Sequence, residues 1–388
     1  MKKLIALLLA LTMVFTLAAC GSADKAEKGE AADIKIGLIC LHDENSTYDL
    51  NFLNGMYEAI ENLGLDAEKN LIIKKNVPES NDCYEAAADL ADSGCDVVFA
   101  NSFGHEPYMI QAAKEFPEVQ FCHATGTMAH TENLSNFQNA FAAIYEGRYL
   151  AGIAAGMKLN EMIAAGEITE DQAVMGYVGA FTYAEVKSGY TAFYLGAKSV
   201  CPSATMKVQF TGSWYDETAE KEAATTLINS GCVLISQHAD SMGAPTACET
   251  AGVPNVSYNG ATYDSCPETF IVSSRINWAP YFAYIIKCVN TGATIDTDWC
   301  GGIAEGSVVL TGINENVAAK GTLDALKSAV EDLKSGKVHV FDTKNFTVDG
   351  VAVTGDNVVN GIFQESKTQS APYFDLKIDG ITRLNEKF

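Results

Sequence analysis

The chain has 388 residues, 49 of them acidic and 26 basic, for a formal charge of −23. Such acidity excludes binding to nucleic acid or an anionic surface through charge, and no nucleic-acid partner is expected. The length exceeds what one hydrophobic core holds, so two lobes are expected.

Residues 1–19 read as a secretory signal: Lys2 and Lys3, then an apolar run from Leu4 to Phe15 that is too short for an ordinary spanning helix. The run closes in Leu17-Ala18-Ala19-Cys20-Gly21. This resembles the lipobox of bacterial lipoproteins, which implies cleavage before Cys20 and diacylation of its thiol. Residues 20–32 are small and polar and read as the lipidated cysteine with a flexible tether. The expected location is the cell membrane, lipid-anchored on its extracytoplasmic face.

From Asp33 onward, strands and helices alternate at parallel-sheet spacing. Strands are expected at 34–41, 71–77, 97–100 and 119–122, with helices between them. Polar or aromatic loops follow three of these strands and carry Tyr48 and Asp49, Phe103 and Gly104, and His123 and Thr125. Residues 145–158 form a helix rich in small residues, in which Gly152, Ala155 and Gly156 permit a close approach. Glu146 and Arg148 fit a hinge, a helix cap or a solvated ion pair. A second series begins at Val174. Its core is the βαβ unit from Val208 to Pro245, whose strand-end loops present Trp214 and Asp216, then Gln237, His238 and Asp240. Ligands of open parallel sheets bind outside the carboxyl ends of strands, so these loops are expected to form two walls of one site. Later strands are expected at 255–258, 271–273, 308–310 and 338–341. Helices are expected at 278–289, which opens on Trp278, and at 322–336. Residues 346–388 read as antiparallel hairpins and a tail.

The fold class is therefore α/β, two Rossmann-like lobes joined by a hinge, of the type I periplasmic-binding-protein kind. The first lobe is expected from 33–142 with about 260–292, and the second from 143–259 with about 293–388. Beyond Cys20, ten cysteines lack any CxxC pairing. They read as buried small hydrophobes, with one or two disulfides left open. The six histidines show no HExxH or HxH spacing, so neither a metal site nor a cofactor is expected. No GxSxG or PCxxC motif supports an enzyme such as a nucleoside hydrolase or deaminase.

A family resemblance sharpens this. SFG at 102–104, HATG at 123–126, YEGRYLAG at 145–152, SWYD at 213–216, QHADS at 237–241 and NWAPY at 277–281 occur together. The chain resembles the basic membrane lipoprotein family, the substrate-binding subunits of nucleoside-type ABC importers, and most closely its adenine-binding branch. The resemblance implies a purine held between one aromatic from each lobe, Tyr48 and Trp214, and delivery to ABC permease subunits. It implies that Asp49, His123, Thr125, Gln237 and Asp240 meet the base edges. Two departures bear on the ligand. Tyr258-Asn259-Gly260 stands where nucleoside receptors carry a GxDxD turn, and Ser273 to Trp278 lacks the lysine that follows it. Both groups engage ribose in that family, so a free base is favoured, with Trp278 either capping the space of a sugar or packing at the start of its helix. Riboflavin or a sugar is the alternative ligand for the same receptor.

Overall fold

The computed structural model describes residues 33–388. The signal sequence, Cys20 and the tether lie outside the described residues. In chain order the first lobe contains β1 (Ile36–Ile39), α1 (Thr47–Asn62), β2 (Leu71–Lys74), α2 (Asn81–Asp92), β3 (Val97–Ala100), α3 (Glu106–Glu115), β4 (Gln120–Ala124) and β5 (Phe137–Ala142). The second contains α4 (Ile144–Ala164), β6 (Val174–Gly179), α5 (Ala184–Val200), β7 (Thr205–Phe210), α6 (Glu217–Asn229), β8 (Leu234–His238), α7 (Gly243–Ala251), β9 (Asn255–Tyr258) and β10 (Phe270–Ile276). The chain then returns to the first lobe for α8 (Ala279–Thr291) and β11 (Asp298–Gly301), and to the second for β12 (Val308–Leu310) and α9 (Thr322–Lys334). Two short hairpins follow, β13 (Thr347–Val348) with β14 (Val351–Ala352) and β15 (Val358–Val359) with β16 (Ile362–Phe363), before β17 (Ile381–Arg383).

Two sheets result. The first has the order β11-β5-β4-β3-β1-β2 and is parallel throughout. The second has the order β12-β10-β9-β8-β6-β7-β17 and is parallel except for β12. Central strands such as Ile36–Ile39 and Val97–Ala100 are buried along their whole length, as strands covered by helices on both faces must be. One core cluster runs through both lobes, and the far face of each sheet has its own.

The chain crosses between lobes after β5, between β10 and α8, and between β11 and β12. The expected division placed 260–292 in the first lobe. In the structure β10 lies between β9 and β12 in the second sheet, so the crossover comes after Ile276. The buried run Phe270–Ile276 completes the second sheet before α8 packs on α1. The strand expected at 338–341 is a turn. Val340 and Phe341 are buried there, and Phe341 stacks on Phe374 at 4.4 Å between ring centroids without joining a sheet. Ten cysteines, from Cys40 to Cys300, are free, nine of them buried.

Glycines in α4 and α5 set how closely these helices pack. A Cβ on Gly152 would lie 2.0 Å from the Phe193 carbonyl oxygen, and one on Gly196 would lie 2.0 Å from that of Tyr149. Backbone atoms cannot swing aside as a side chain can, so this crossing requires hydrogen at both positions. Gly152→Val should therefore destabilise the protein by about 1–3 kcal/mol or more. Gly312→Ala, where a Cβ meets nothing within 4 Å, should change stability by less than about 0.5 kcal/mol. Urea unfolding of both variants checks the contrast.

Candidate functional site

The carboxyl ends of the two sheets face each other across a narrow cleft. The first lobe contributes Leu41 and His42 after β1, Tyr48 and Asp49 from the first turn of α1, Ser102 and Phe103 after β3, and Thr125 after β4. The second lobe contributes Glu185 from the first turn of α5, Trp214 after β7, His238 and Asp240 at the end of β8, and Tyr258 at the end of β9.

In the first lobe Ser46 caps α1 by accepting from the Asp49 N–H, which seats the Asp49 carboxylate in the first turn. The Asn101 side chain donates to Asp49 Oδ1 at 2.7 Å, and the His42 N–H donates to the same oxygen at 3.1 Å. Burial opposes the charge on Asp49, but hydrogen bonds from His42, Asn101 and Ser46 outweigh it and hold the carboxyl below its usual range. The Tyr48 hydroxyl donates to the Asn101 carbonyl at 2.7 Å, which fixes its ring at the wall. Thr125 takes a left-handed backbone conformation, with φ +67°. That is costly for a β-branched residue and is found mainly where surroundings enforce it, often at functional sites. Here Glu106 enforces it from beneath, accepting from the N–H groups of Thr127 and Met128 and from Asn139.

In the second lobe Arg148 is fully buried under the wall. It donates to the Ser257 carbonyl and to the hydroxyls of Ser236 and Ser274, and lies over the rings of Tyr177, Phe193 and Tyr258. Tyr258 in turn lies 4.4 Å from His238. Burial drives His238 towards its neutral form. It also pushes the Asp240 carboxyl well above the usual range, reinforced by the nearby charges of Glu220 and Asp49. The lobes touch across the cleft. Thr47 donates its N–H and hydroxyl to the Asp240 carbonyl, and the Asn51 side chain donates to Asn259. Phe103 meets Tyr183 at 5.2 Å between ring centroids.

Of the residues expected at the site, Tyr48, Asp49, Phe103, Thr125, Trp214, His238 and Asp240 line the cleft. Five lie elsewhere. The Gly104 N–H donates to Glu79. His123 is buried behind the wall with Nε2 bonded to the Ser102 carbonyl at 2.6 Å. Asp216 caps α6 by accepting from the Ala219 N–H. Gln237 accepts from the Asn255 side chain. Trp278 is 1% exposed and stacks on Phe52 at 4.4 Å inside the first lobe, so it fills core and not the space of a sugar. The alternation of strand residues sends Gln237 and His238 to opposite faces, which explains why only one reaches the cleft. Leu41, His42, Ser102, Glu185 and Tyr258 were not anticipated as site residues. Their position directly after strands, or at the helix start that follows one, was the available signal. Arg148, expected at a hinge or in a solvated pair, is instead a buried support. Glu146 accepts from the Ile303 N–H between crossovers. Among the described residues no group of histidines, cysteines and carboxylates is arranged to hold a metal ion.

A family model described as ABC transporter substrate-binding protein, PnrA-like, matches residues 36–352. A purine-binding protein of Brucella abortus is 30% identical over 288 residues, which cover 73% of this chain and 76% of that protein. A putative ABC transporter glucose-binding protein of Haloferax volcanii is 32% identical over 251 residues, 65% of this chain but only 60% of that protein. A nucleoside-binding ABC transporter protein of Lactococcus lactis is 26% identical over 270 residues, 67% of this chain and 71% of that protein. A solute-binding protein of an ABC transporter from Aeropyrum pernix shares the fold with a TM-score of 0.64 at 16% identity, covering 83% of this chain and 94% of that one.

The cleft loops also impose a stability signature. Glu220 of α6 is buried and accepts from the N–H groups of Ser241 and Asp216, so it holds the loops that bear Asp240 and Trp214. Burial raises its pKa to about 7. The folded state therefore binds the proton more tightly than the unfolded state. This contribution is fully present below about pH 4.5 and is lost as pH rises through about 7. Glu220→Gln should remove that slope, so the variant should gain about 2–3 kcal/mol on wild type between pH 4.5 and 8. Denaturant melts across that range check it.

Proposed function

Since the chain belongs to the PnrA-like ABC transporter substrate-binding proteins, we propose that it is a lipid-anchored receptor that captures a purine base between its lobes and delivers it to an ABC permease. The observation that carries this is the pairing in one small cleft of Tyr48 from the first lobe with Trp214 from the second, beside Asp49 and Asp240. Aromatic faces suit a planar heterocycle and add about 0.5–1.5 kcal/mol per pair beyond area burial. The carboxyl groups suit its edges, accepting from N–H groups when ionised and donating when protonated. The Brucella relative, by its name, binds purines. A base is favoured over a nucleoside because Asn259, at the family's ribose-binding turn, is engaged with Asn51 and Asp240. The Haloferax relative, named for glucose, supports a sugar as the second reading.

The two lobes close on the ligand about the three crossovers. The permease selects the closed form, and the ligand shifts the population only by its preference for closed over open. Cys20 carries the anchor. The family is one of solute binders, which supports a carrier's site over a catalyst's.

Calorimetric titration of the refolded soluble chain, stripped of carried-over ligand, tests this with adenine, guanine, hypoxanthine, their nucleosides, riboflavin and D-glucose. A free base should bind more tightly than its nucleoside. Trp214→Ala should weaken it by about 1 kcal/mol or more, roughly fivefold in Kd, without unfolding the protein. Wild-type affinity in that variant removes Trp214 from the site. Binding of glucose with silence across the purines replaces the ligand class.

A further inference from the structure

We propose that the acidic groups divided across the cleft make closure conditional on a ligand that bears N–H donors and no negative charge, and that Glu185 is the residue that sets this preference. The inference rests on the purine-receptor reading and deepens it.

Three acidic side chains line the cleft, Asp49 on the first lobe and Glu185 and Asp240 on the second, and among the described residues no lysine or arginine lines it with them. They are not equivalent. Asp49 Oδ1 already accepts from Asn101 and His42. Asp240 Oδ1 accepts from the Asn259 side chain at 3.3 Å, and its burial favours the protonated, donating form. Asp49 Oδ2 has no hydrogen-bond partner and lies 3.4 Å from His42 Nδ1, and Glu185 accepts no hydrogen bond among the described residues. Its one ion-pair partner among the described residues is His238 Nε2 at 3.5 Å, beyond a good hydrogen bond, and burial keeps that imidazole towards neutral. Its side chain is only 11% exposed, so water cannot fully solvate it.

Unpartnered groups lining the same cleft point independently to a ligand. Thr125 Oγ1 and the Tyr258 hydroxyl lack any hydrogen-bond partner, in residues 3% and 2% exposed. Buried polar atoms are almost always paired. A ligand with acceptor atoms would pair them, while its N–H groups would meet Glu185.

The consequence follows from charge. Bringing Asp49 and Glu185 together as water leaves costs free energy, because like charges repel more strongly at lower dielectric. Contacts such as Thr47 to Asp240 and Asn51 to Asn259 favour closure whatever fills the cleft, so the acids supply the opposing term. An N–H donor turns Glu185 into half of a charge-assisted hydrogen bond. An anion adds a third like charge, and selectivity arises as much from that rejection as from attraction.

Calorimetry with adenine, neutral and donor-bearing, and with urate, an anion of similar shape, tests this on wild type, Glu185→Gln and Asp240→Asn. Wild type should favour adenine over urate at least a hundredfold. Glu185→Gln should narrow that ratio at least tenfold. Asp240→Asn, at a carboxyl whose burial favours the neutral form, should narrow it less. Small-angle scattering should show ligand-free Glu185→Gln to be more compact than ligand-free wild type. An unchanged ratio or an equal radius in a folded Glu185→Gln protein overturns the inference and leaves the receptor reading standing. If Glu185→Gln does not fold, an Asp240→Asn protein that narrows the ratio tenfold overturns the assignment to Glu185. Absence of purine binding by wild type overturns both.

Discussion

One buried guanidinium underlies the second wall of the cleft. Arg148 sits beneath strands β8, β9 and β10 and bonds to a residue on each, Ser236, Ser257 and Ser274. No carboxylate partners it, yet a buried charge left unpaired would cost several kcal/mol. Two hydroxyls, one carbonyl and three aromatic faces share that task. Arginine suits it because its planar fork donates in several directions while its face stacks on rings. The same contact orients Tyr258, and through Tyr258 it supports His238. The pocket wall and the sheet beneath it are thus held by one group.

The first wall is built on the opposite charge. Asn101, at the end of β3, receives the Leu41 N–H on its side-chain oxygen, donates to Asp49, and accepts the Tyr48 hydroxyl on its carbonyl. The loop after β1, the first turn of α1 and the loop after β3 are thereby locked around one residue. Glu106 does the same for Thr125 by holding the loop after β4 in a conformation a β-branched residue seldom adopts. Rigid walls of this kind let a small ligand report its presence. Little of its binding free energy is spent on ordering side chains, and more is available to shift the lobes.

Much of the architecture was legible because parallel strands covered on both faces write themselves as short apolar runs, as in Ile34 to Leu41 and Cys232 to Ile235. The binding loops followed from a rule of topology, and Tyr48, Asp49, Trp214 and Asp240 do line the cleft. The failures have physical causes. Trp278 left two readings open, a cap over the space of a sugar or packing at a helix start, and only its contacts with Phe52 and Phe282 decide for packing. Val338 to Phe341 has the composition of a strand, yet only its last residue meets the short β16 edge, where the Phe341 carbonyl accepts from the Phe363 N–H and Asp342 bridges Ile362. Strand β11, Asp298 to Gly301, has no apolar run and exists because β5 offers it an edge.

The sequence by itself determined the alternation of strands and helices, the acidic balance, the small residues of the α4 crossing and the aromatic and acidic content of the loops. These depend on local periodicity and side-chain chemistry, which a linear reading contains. The tertiary structure alone decided that β10 belongs to the second lobe, that Arg148 is buried and not paired at the surface, and that Glu185 and Asp49 line one cleft from different lobes. Each of these depends on which residues far apart in the chain share one desolvated space. Burial and charge pairing there are set by the whole fold, and no local pattern carries them.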